Sequence, residues 1–213
     1  RILVLTPREV VAENWLSEYK AFIRRHVRRD DGVLRWHGRT VKPAVKVGNL
    51  FELVEQVEAQ WPRLLIGKIT SFSGLLQGER WKERLTAWGR QDLVEGWSST
   101  QGGDSLNARM AALIRERLMA AGKSDRPPFD LIIIDEAHYL RHFDGGSLRA
   151  EAAKCFFGTG MAPPMADGVL LLTATPNHSS NEDVRNVMRY FQSAPGSSRE
   201  ILDSICIRRL RRL

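Results

Sequence analysis

Leu131-Ile132-Ile133-Ile134-Asp135-Glu136-Ala137-His138 is the stretch on which the reading of this chain turns. A short run of consecutive apolar residues, mostly β-branched, suits a strand covered on both faces better than a helix. Two carboxylates follow at once, at the carboxyl end of that strand. In open parallel sheets the carboxyl ends of the strands border the ligand crevice. A carboxylate placed there can hold magnesium, directly or through water, against phosphate groups, because the ion takes oxygen ligands and needs only one or two carboxylates. The carboxylate beside it has the reach and the charge to orient or deprotonate an attacking water. From Asp135-Glu136 alone, a solvated acidic turn reads equally well.

Working outward, the same design recurs. Ile2-Leu3-Val4-Leu5 is an apolar run that ends in Thr6-Pro7-Arg8-Glu9. Thr6 suits a helix N-cap, Pro7 its first turn and Glu9 the reciprocal position of a capping box. Trp15, Leu16, Tyr19, Phe22 and Ile23 then recur at helical spacing and predict an apolar helix face. Val33-Leu34-Arg35-Trp36 reads as a short strand, and Leu50 to Val57 as a helix. Leu64-Leu65-Ile66-Gly67 reads as a buried strand ending at Lys68-Ile69-Thr70-Ser71. Downstream of the acidic pair, a helix is expected around Leu148 to Phe157. Gly168-Val169-Leu170-Leu171-Leu172 is then a strand ending in Thr173-Ala174-Thr175-Pro176. Ser180 and Asp183 open a last helix carrying Val184, Val187, Met188 and Phe191. Continuous apolar strands alternating with helices predict an α/β fold, a parallel sheet with helices on both faces.

Between these halves the pattern loosens. Trp81, Trp88 and Trp97 are scattered among charges, Ser98 to Gly103 reads as a loop, and Leu106, Met110, Leu113, Ile114 and Leu118 mark a helix stopped by Arg126-Pro127-Pro128. We therefore divide the chain into 1–72, a mainly helical insertion or elaboration at 73–127, and 128–213. The whole is 213 residues, with 32 Lys+Arg against 25 Asp+Glu and a net charge of +7. That balance excludes a disordered or fibrous chain and raises the odds of a polyanionic partner. No apolar run reaches the roughly 18 residues of a membrane helix. Two cysteines, Cys155 and Cys206, exclude a disulfide scaffold and fit a reducing compartment. Because Arg1 already lies in an apolar run without an initiator Met, the chain reads as a piece of a longer polypeptide.

Several polar groups at strand ends are candidates for chemistry. Thr6 and Arg8 could contact phosphate at a helix start, and Thr70 and Ser71 could touch a phosphodiester backbone; each also reads as an ordinary turn or cap. His138 and His142 are four apart, which on a helix would share a face and with Asp135 suggest zinc. The residue after His138 is Tyr139, so the His-Glu-x-x-His pattern of metalloproteases is not formed. Arg24, Arg25, His26, Arg28 and Arg29, and again Arg208, Arg209, Arg211 and Arg212, form basic clusters that read as solvated faces or as nucleic-acid contacts.

In their order these pieces resemble the first RecA-like lobe of superfamily-two helicases and translocases, and within them the Swi/Snf-like group. Leu5-Thr6-Pro7-Arg8 with Asn14-Trp15 resembles motif Ia, and Ile69-Thr70-Ser71-Phe72 resembles motif Ib. Asp135-Glu136-Ala137-His138 resembles motif II of the DEAH type, the Walker B segment, and Leu172-Thr173-Ala174-Thr175-Pro176 resembles motif III. The likeness covers about residues 1–80 and 128–192. It implies a P-loop NTPase-type lobe that uses ATP and Mg2+. Asp135 would coordinate the magnesium and Glu136 would activate water, as the catalytic pair. His138, Thr173 and Thr175 would couple the ATP state to the grip on nucleic acid, and Thr6, Arg8, Thr70 and Ser71 would face the strand. The implied partners are DNA in preference to RNA, a second RecA-like lobe of the same polypeptide, and proteins reached through the insertion, with no membrane. The implied location is cytoplasmic, or nuclear in a eukaryote.

The chain also departs from that pattern. No Gly-x-x-x-x-Gly-Lys-[Ser/Thr] occurs in it, so the phosphate-cradling loop is expected upstream of Arg1. Asn177-His178-Ser179-Ser180 differs from the usual Swi/Snf-like sequence after the Thr-Pro. The full-length protein is then expected to be an ATP hydrolase that moves along nucleic acid, and this stretch alone to be inactive. The alternatives are a lobe without catalysis that binds nucleic acid or a partner, and a metal-dependent hydrolase.

Overall fold

The apolar runs do form strands, and they assemble in parallel. The computed structural model describes residues 1–26, 33–61, 63–76, 80–95, 105–122, 126–174, 182–192 and 196–204. In chain order the elements are β1 (Ile2–Thr6), α1 (Glu9–His26), β2 (Leu34–Trp36), β3 (Arg39–Val41), β4 (Ala44–Lys46), α2 (Leu50–Glu58) and β5 (Leu64–Lys68). Then come α3 (Arg80–Ala87), α4 (Gln91–Glu95), α5 (Leu106–Ala121), β6 (Phe129–Asp135), α6 (Leu148–Phe157), β7 (Ala166–Leu172), α7 (Asp183–Met188) and α8 (Ser198–Ser204). The five-stranded sheet has the order β4-β5-β1-β6-β7. Every neighbouring pair in it is parallel. The expected strand Val33 to Trp36 instead joins β3 in a small antiparallel hairpin beside the sheet.

Alternation along the strands sends the two sets of side chains to different layers. Leu3, Leu5, Leu65, Ile132 and Ile134 pack into the large core with Leu53 and Val54 of α2, Ile114 and Leu118 of α5 and Phe156 of α6. Val4 and Ile66 point the other way, onto Ala12, Trp15 and Leu16 of α1. The helices start where side chains can cap them. As the N-cap of α2, Asn49 accepts from the Glu52 amide at 2.9 Å, while the Glu52 carboxylate accepts from the Gly48 amide at 2.7 Å, one residue before the cap. Ser147 caps α6 by accepting from the Ala150 amide at 3.2 Å, and Gly158 ends that helix at φ +86°, a left-handed conformation suited to glycine. Within 73–127, α5 packs between α2 and α6 and buries Met110, Ile114 and Leu118.

Helices therefore lie on both faces, but unequally. On its face α1 packs over β1 and over β4 and β5, the strands toward that edge of the sheet. Over β6 and β7 the same face leaves Leu131 and Ile133 half-buried, and Leu170 is 46% exposed. The narrower footprint of α1 also explains Phe22, read from its spacing as part of the apolar face. It is 56% exposed and lies against His26, 4.6 Å between ring centres. Among the described residues no helix is long and apolar enough to cross a membrane.

One core residue carries a cost that can be measured. Tyr190 is fully buried beside Phe143, edge to face at 4.8 Å, and its hydroxyl has no hydrogen-bond partner among the described residues. Burial holds that phenol in its neutral form, well above its ordinary pKa. Tyr190→Phe keeps the ring and removes an unsatisfied polar atom, which costs about 1–3 kcal/mol when buried. The variant is expected to melt at a higher temperature, by roughly 2–4 °C per kcal/mol for a domain of this size. A lower Tm by calorimetry would contradict the packing described here.

Candidate functional site

The carboxyl ends of β5, β1, β6 and β7 form one rim, because the parallel register places Lys68 beside Thr6 and Asp135 beside Leu172. Asp135 is the last residue of β6, on the α1 side of the sheet. Its Oδ2 accepts a hydrogen bond from Trp15 Nε1 at 2.8 Å. Its Oδ1 accepts no hydrogen bond from another described residue. Glu136 then takes a left-handed backbone, φ +53° and ψ +53°, which is strained for a residue with a Cβ. The chain continues in a 3-10 turn, Ala137–Leu140. That sharp turn brings His138 back over the acidic pair. Its Nδ1 lies 3.2 Å from Glu136 Oε2 and 3.4 Å from Thr173 Oγ1, just past the end of β7. A single imidazole thus spans two neighbouring strand ends. Glu136 stays 39% exposed at its side chain while His138 is mostly covered.

Arg8 is exposed two residues beyond β1, and Thr70 is exposed in the 3-10 turn Ile69–Phe72 that follows β5, with Ser71 half-buried beside it. These residues share the rim with Asp135. Thr6 does not. It is fully buried, and its hydroxyl donates to Gly67 O at 3.1 Å with Arg8 O at 3.2 Å. The expected capping box at α1 is not made either. Glu9 is drawn sideways to Lys46 and, at 2.8 Å, to Lys68, because those lysines end the adjacent strands β4 and β5. The hydrogen bonds from Lys46 and Lys68 hold the Glu9 carboxyl below its usual range. Gly67 and Lys68 belong to β5 itself, and a Cβ on Gly67 would meet Val47 at 3.3 Å and Leu5 at 3.4 Å inside the sheet.

Thr175 lies outside the described residues, as do Ser180, Arg28, Arg29 and the Arg208–Arg212 cluster. Arg24, Arg25 and His26 lie at the far end of α1, which is 18 residues and so about 27 Å long, and runs back toward the amino ends of the strands. They are not on the rim. His138 and His142 do not share a helical face, because the 3-10 turn ends at Leu140 and His142 is exposed beyond it. Among the described residues no group of three or more His, Cys, Asp or Glu is placed to hold a metal, so the zinc set of Asp135, His138 and His142 is not assembled. A single carboxylate still suits magnesium, which retains most of its waters.

Trp15 was legible as an aromatic on the apolar helix face and as part of the motif Ia resemblance, but not as the partner of Asp135, which its indole N–H orients. The signal is chemical: a Trp on an apolar face still needs an acceptor for its N–H. A double-mutant cycle with Trp15→Phe and Asp135→Asn tests the bond. Hydrogen bonds to charged groups contribute about 1.5–3 kcal/mol, so a coupling of about 1 kcal/mol or more is expected in urea unfolding. Strict additivity would show that the contact contributes nothing.

Comparison of the chain with protein-family models, with curated proteins and with solved structures finds no match.

Proposed function

We propose that the chain is the first RecA-like lobe of an ATP-driven nucleic-acid motor of the superfamily-two type, with duplex DNA as its track. The observation that carries this reading is His138, whose Nδ1 reaches both Glu136 and Thr173. It ties the acidic pair at the end of β6 to the hydroxyl at the end of β7, the link a motor needs between hydrolysis and grip. The uncovered side of β6 and β7 supports the same reading. β7 is the edge of the sheet, with Val169 40% and Leu170 46% exposed. A further parallel strand there, followed by a helix over Leu131, Ile133 and Leu170, would bring a phosphate-binding loop to the rim near Asp135.

In that site Asp135 would hold Mg2+, its carboxylate oriented by the Trp15 indole N–H. The ion, when bound, neutralises phosphate charge on ATP. Glu136 orients the attacking water and takes its proton, its turn held in place by the 3-10 segment. Arg8, Thr70 and Ser71 line the neighbouring strand ends and contact the phosphodiester backbone, which positions without reading sequence. A second lobe of the same polypeptide closes over the nucleotide.

The test is His138→Ala in the polypeptide that carries both lobes. Basal ATP hydrolysis is expected to persist, while its stimulation by duplex DNA falls by about tenfold or more. Unchanged stimulation would remove the coupling role. A lobe that bound nucleic acid without turnover in the unsubstituted protein would establish the non-enzymatic alternative.

A further inference from the structure

At the edge of the sheet opposite β7, a groove of about 530 Å3 runs between the second half of α1 and β4. This size falls within the range of ligand-binding clefts. Its floor is apolar, formed by Leu16, Tyr19, Ile23 and Pro43. Its rim is basic: Lys20 and Arg24 from α1, Lys42 ahead of β4, and Lys46 at the far end. Lys46 is occupied by Glu9 and Glu13, but Lys20, Arg24 and Lys42 have no carboxylate partner among the described residues.

The main chain along the groove is also open. Leu64 N donates to Pro43 O at 2.8 Å and Val47 N donates to Ile66 O at 2.8 Å, so residues 43, 45 and 47 bond inward to β5. Alternation then turns the N–H and C=O of Ala44 and Lys46 outward, along the groove, and no backbone partner meets them among the described residues. A strand edge, an apolar floor and a one-signed rim occur together here.

We propose that this groove docks an extended acidic segment of a partner protein as an additional strand paired to β4. Strand addition draws affinity from edge hydrogen bonds and specificity from the surface that receives alternate side chains, here an apolar floor with a basic rim. A second copy of this chain would oppose Lys42 and Lys46 to themselves, and lysines on short edge strands discourage such self-pairing. A phosphodiester backbone carries no donors for the outward carbonyls of Ala44 and Lys46. The groove lies away from the rim of Asp135 and does not depend on the motor reading.

The test is fluorescence anisotropy with the 213-residue chain and a labelled heptapeptide of alternating Glu and Val, against its Lys-Val counterpart and a thymidine 15-mer. The Glu-Val peptide is expected to bind and the Lys-Val peptide not to. Ala44→Pro removes one outward N–H and no sheet bond, and the paired change Lys20→Glu with Arg24→Glu reverses the rim. Each is expected to weaken the acidic peptide by about tenfold or more, with the far-ultraviolet circular dichroism unchanged. If Ala44→Pro fails to fold, the rim reversal decides alone. The proposal is overturned if affinity is the same in the folded variants. It is overturned equally if the thymidine oligonucleotide displaces the peptide, or if Ala44→Pro instead abolishes self-association of the chain.

Discussion

On the proposed motor function, Glu136→Gln in a polypeptide carrying this lobe and a second one is expected to lower ATP turnover by about 10²–10⁴-fold, the contribution of a positioned general base. The substitution is nearly isosteric. The amide keeps an oxygen toward His138 Nδ1, 3.2 Å away in the unsubstituted protein, and the left-handed backbone at 136 is no worse for Gln than for Glu. What is lost is the ability to accept a proton from water. Nucleotide affinity is expected to stay within about threefold, since a group acting only in the transition state leaves ground-state binding unchanged. Rapid-quench measurement of the first turnover separates the two quantities. A variant with turnover near that of the unsubstituted protein would show that Glu136 is merely the residue at a strained turn.

The second large effect is on stability. Arg115 on α5 is only 9% exposed, and no carboxylate faces it among the described residues. Its guanidinium instead donates to two carbonyls, Phe156 O at 2.9 Å and Pro163 O. It thereby ties α5 to the end of α6 and to the loop that feeds β7. Burial lowers the pKa of this group, though a guanidinium stays charged throughout the working range. Arg115→Ala leaves both carbonyls unpaired and opens a void next to Gly158, where an added Cβ would come within 3.1 Å of Arg115 Cζ. The expected loss is about 3–4 kcal/mol in urea unfolding. Arg115→Lys supplies a point donor in place of the planar fork and should recover only part of it. A loss below about 1 kcal/mol for the alanine variant would contradict the bridging role, because surface substitutions fall in that range.

Strands β6 and β7 were legible because a run of apolar residues bounded by turn residues has few other homes, and a helix was legible around Leu148 to Phe157, whose capping by Ser147 the structure adds. β4 was not. It is three residues long, follows Pro43 and alternates with lysines, so neither length nor hydrophobicity marks it. The Thr6–Glu9 pattern matched a capping box locally, but β5 lies alongside β1 and offers Gly67 O to Thr6 and Lys68 to Glu9, partners sixty residues away in sequence. The acidic pair was legible as a strand-end site. The Trp15 bond that orients it was not, since it joins residues 120 apart. The spacing of His138 and His142 suggested a shared helical face that the left-handed turn at Glu136 and the short 3-10 segment do not provide.

The proposed motor function requires that ATP hydrolysis, in a polypeptide carrying this lobe and a second one, respond to nucleic acid. Turnover measured with Mg2+, with and without duplex DNA, is expected to rise by about 5–150-fold on adding the duplex, the range of ordinary site-to-site coupling. The stimulation should fade as salt displaces the phosphate contacts. A folded protein that hydrolyses no ATP in either condition, or hydrolyses it at one rate regardless of DNA, would contradict the motor reading.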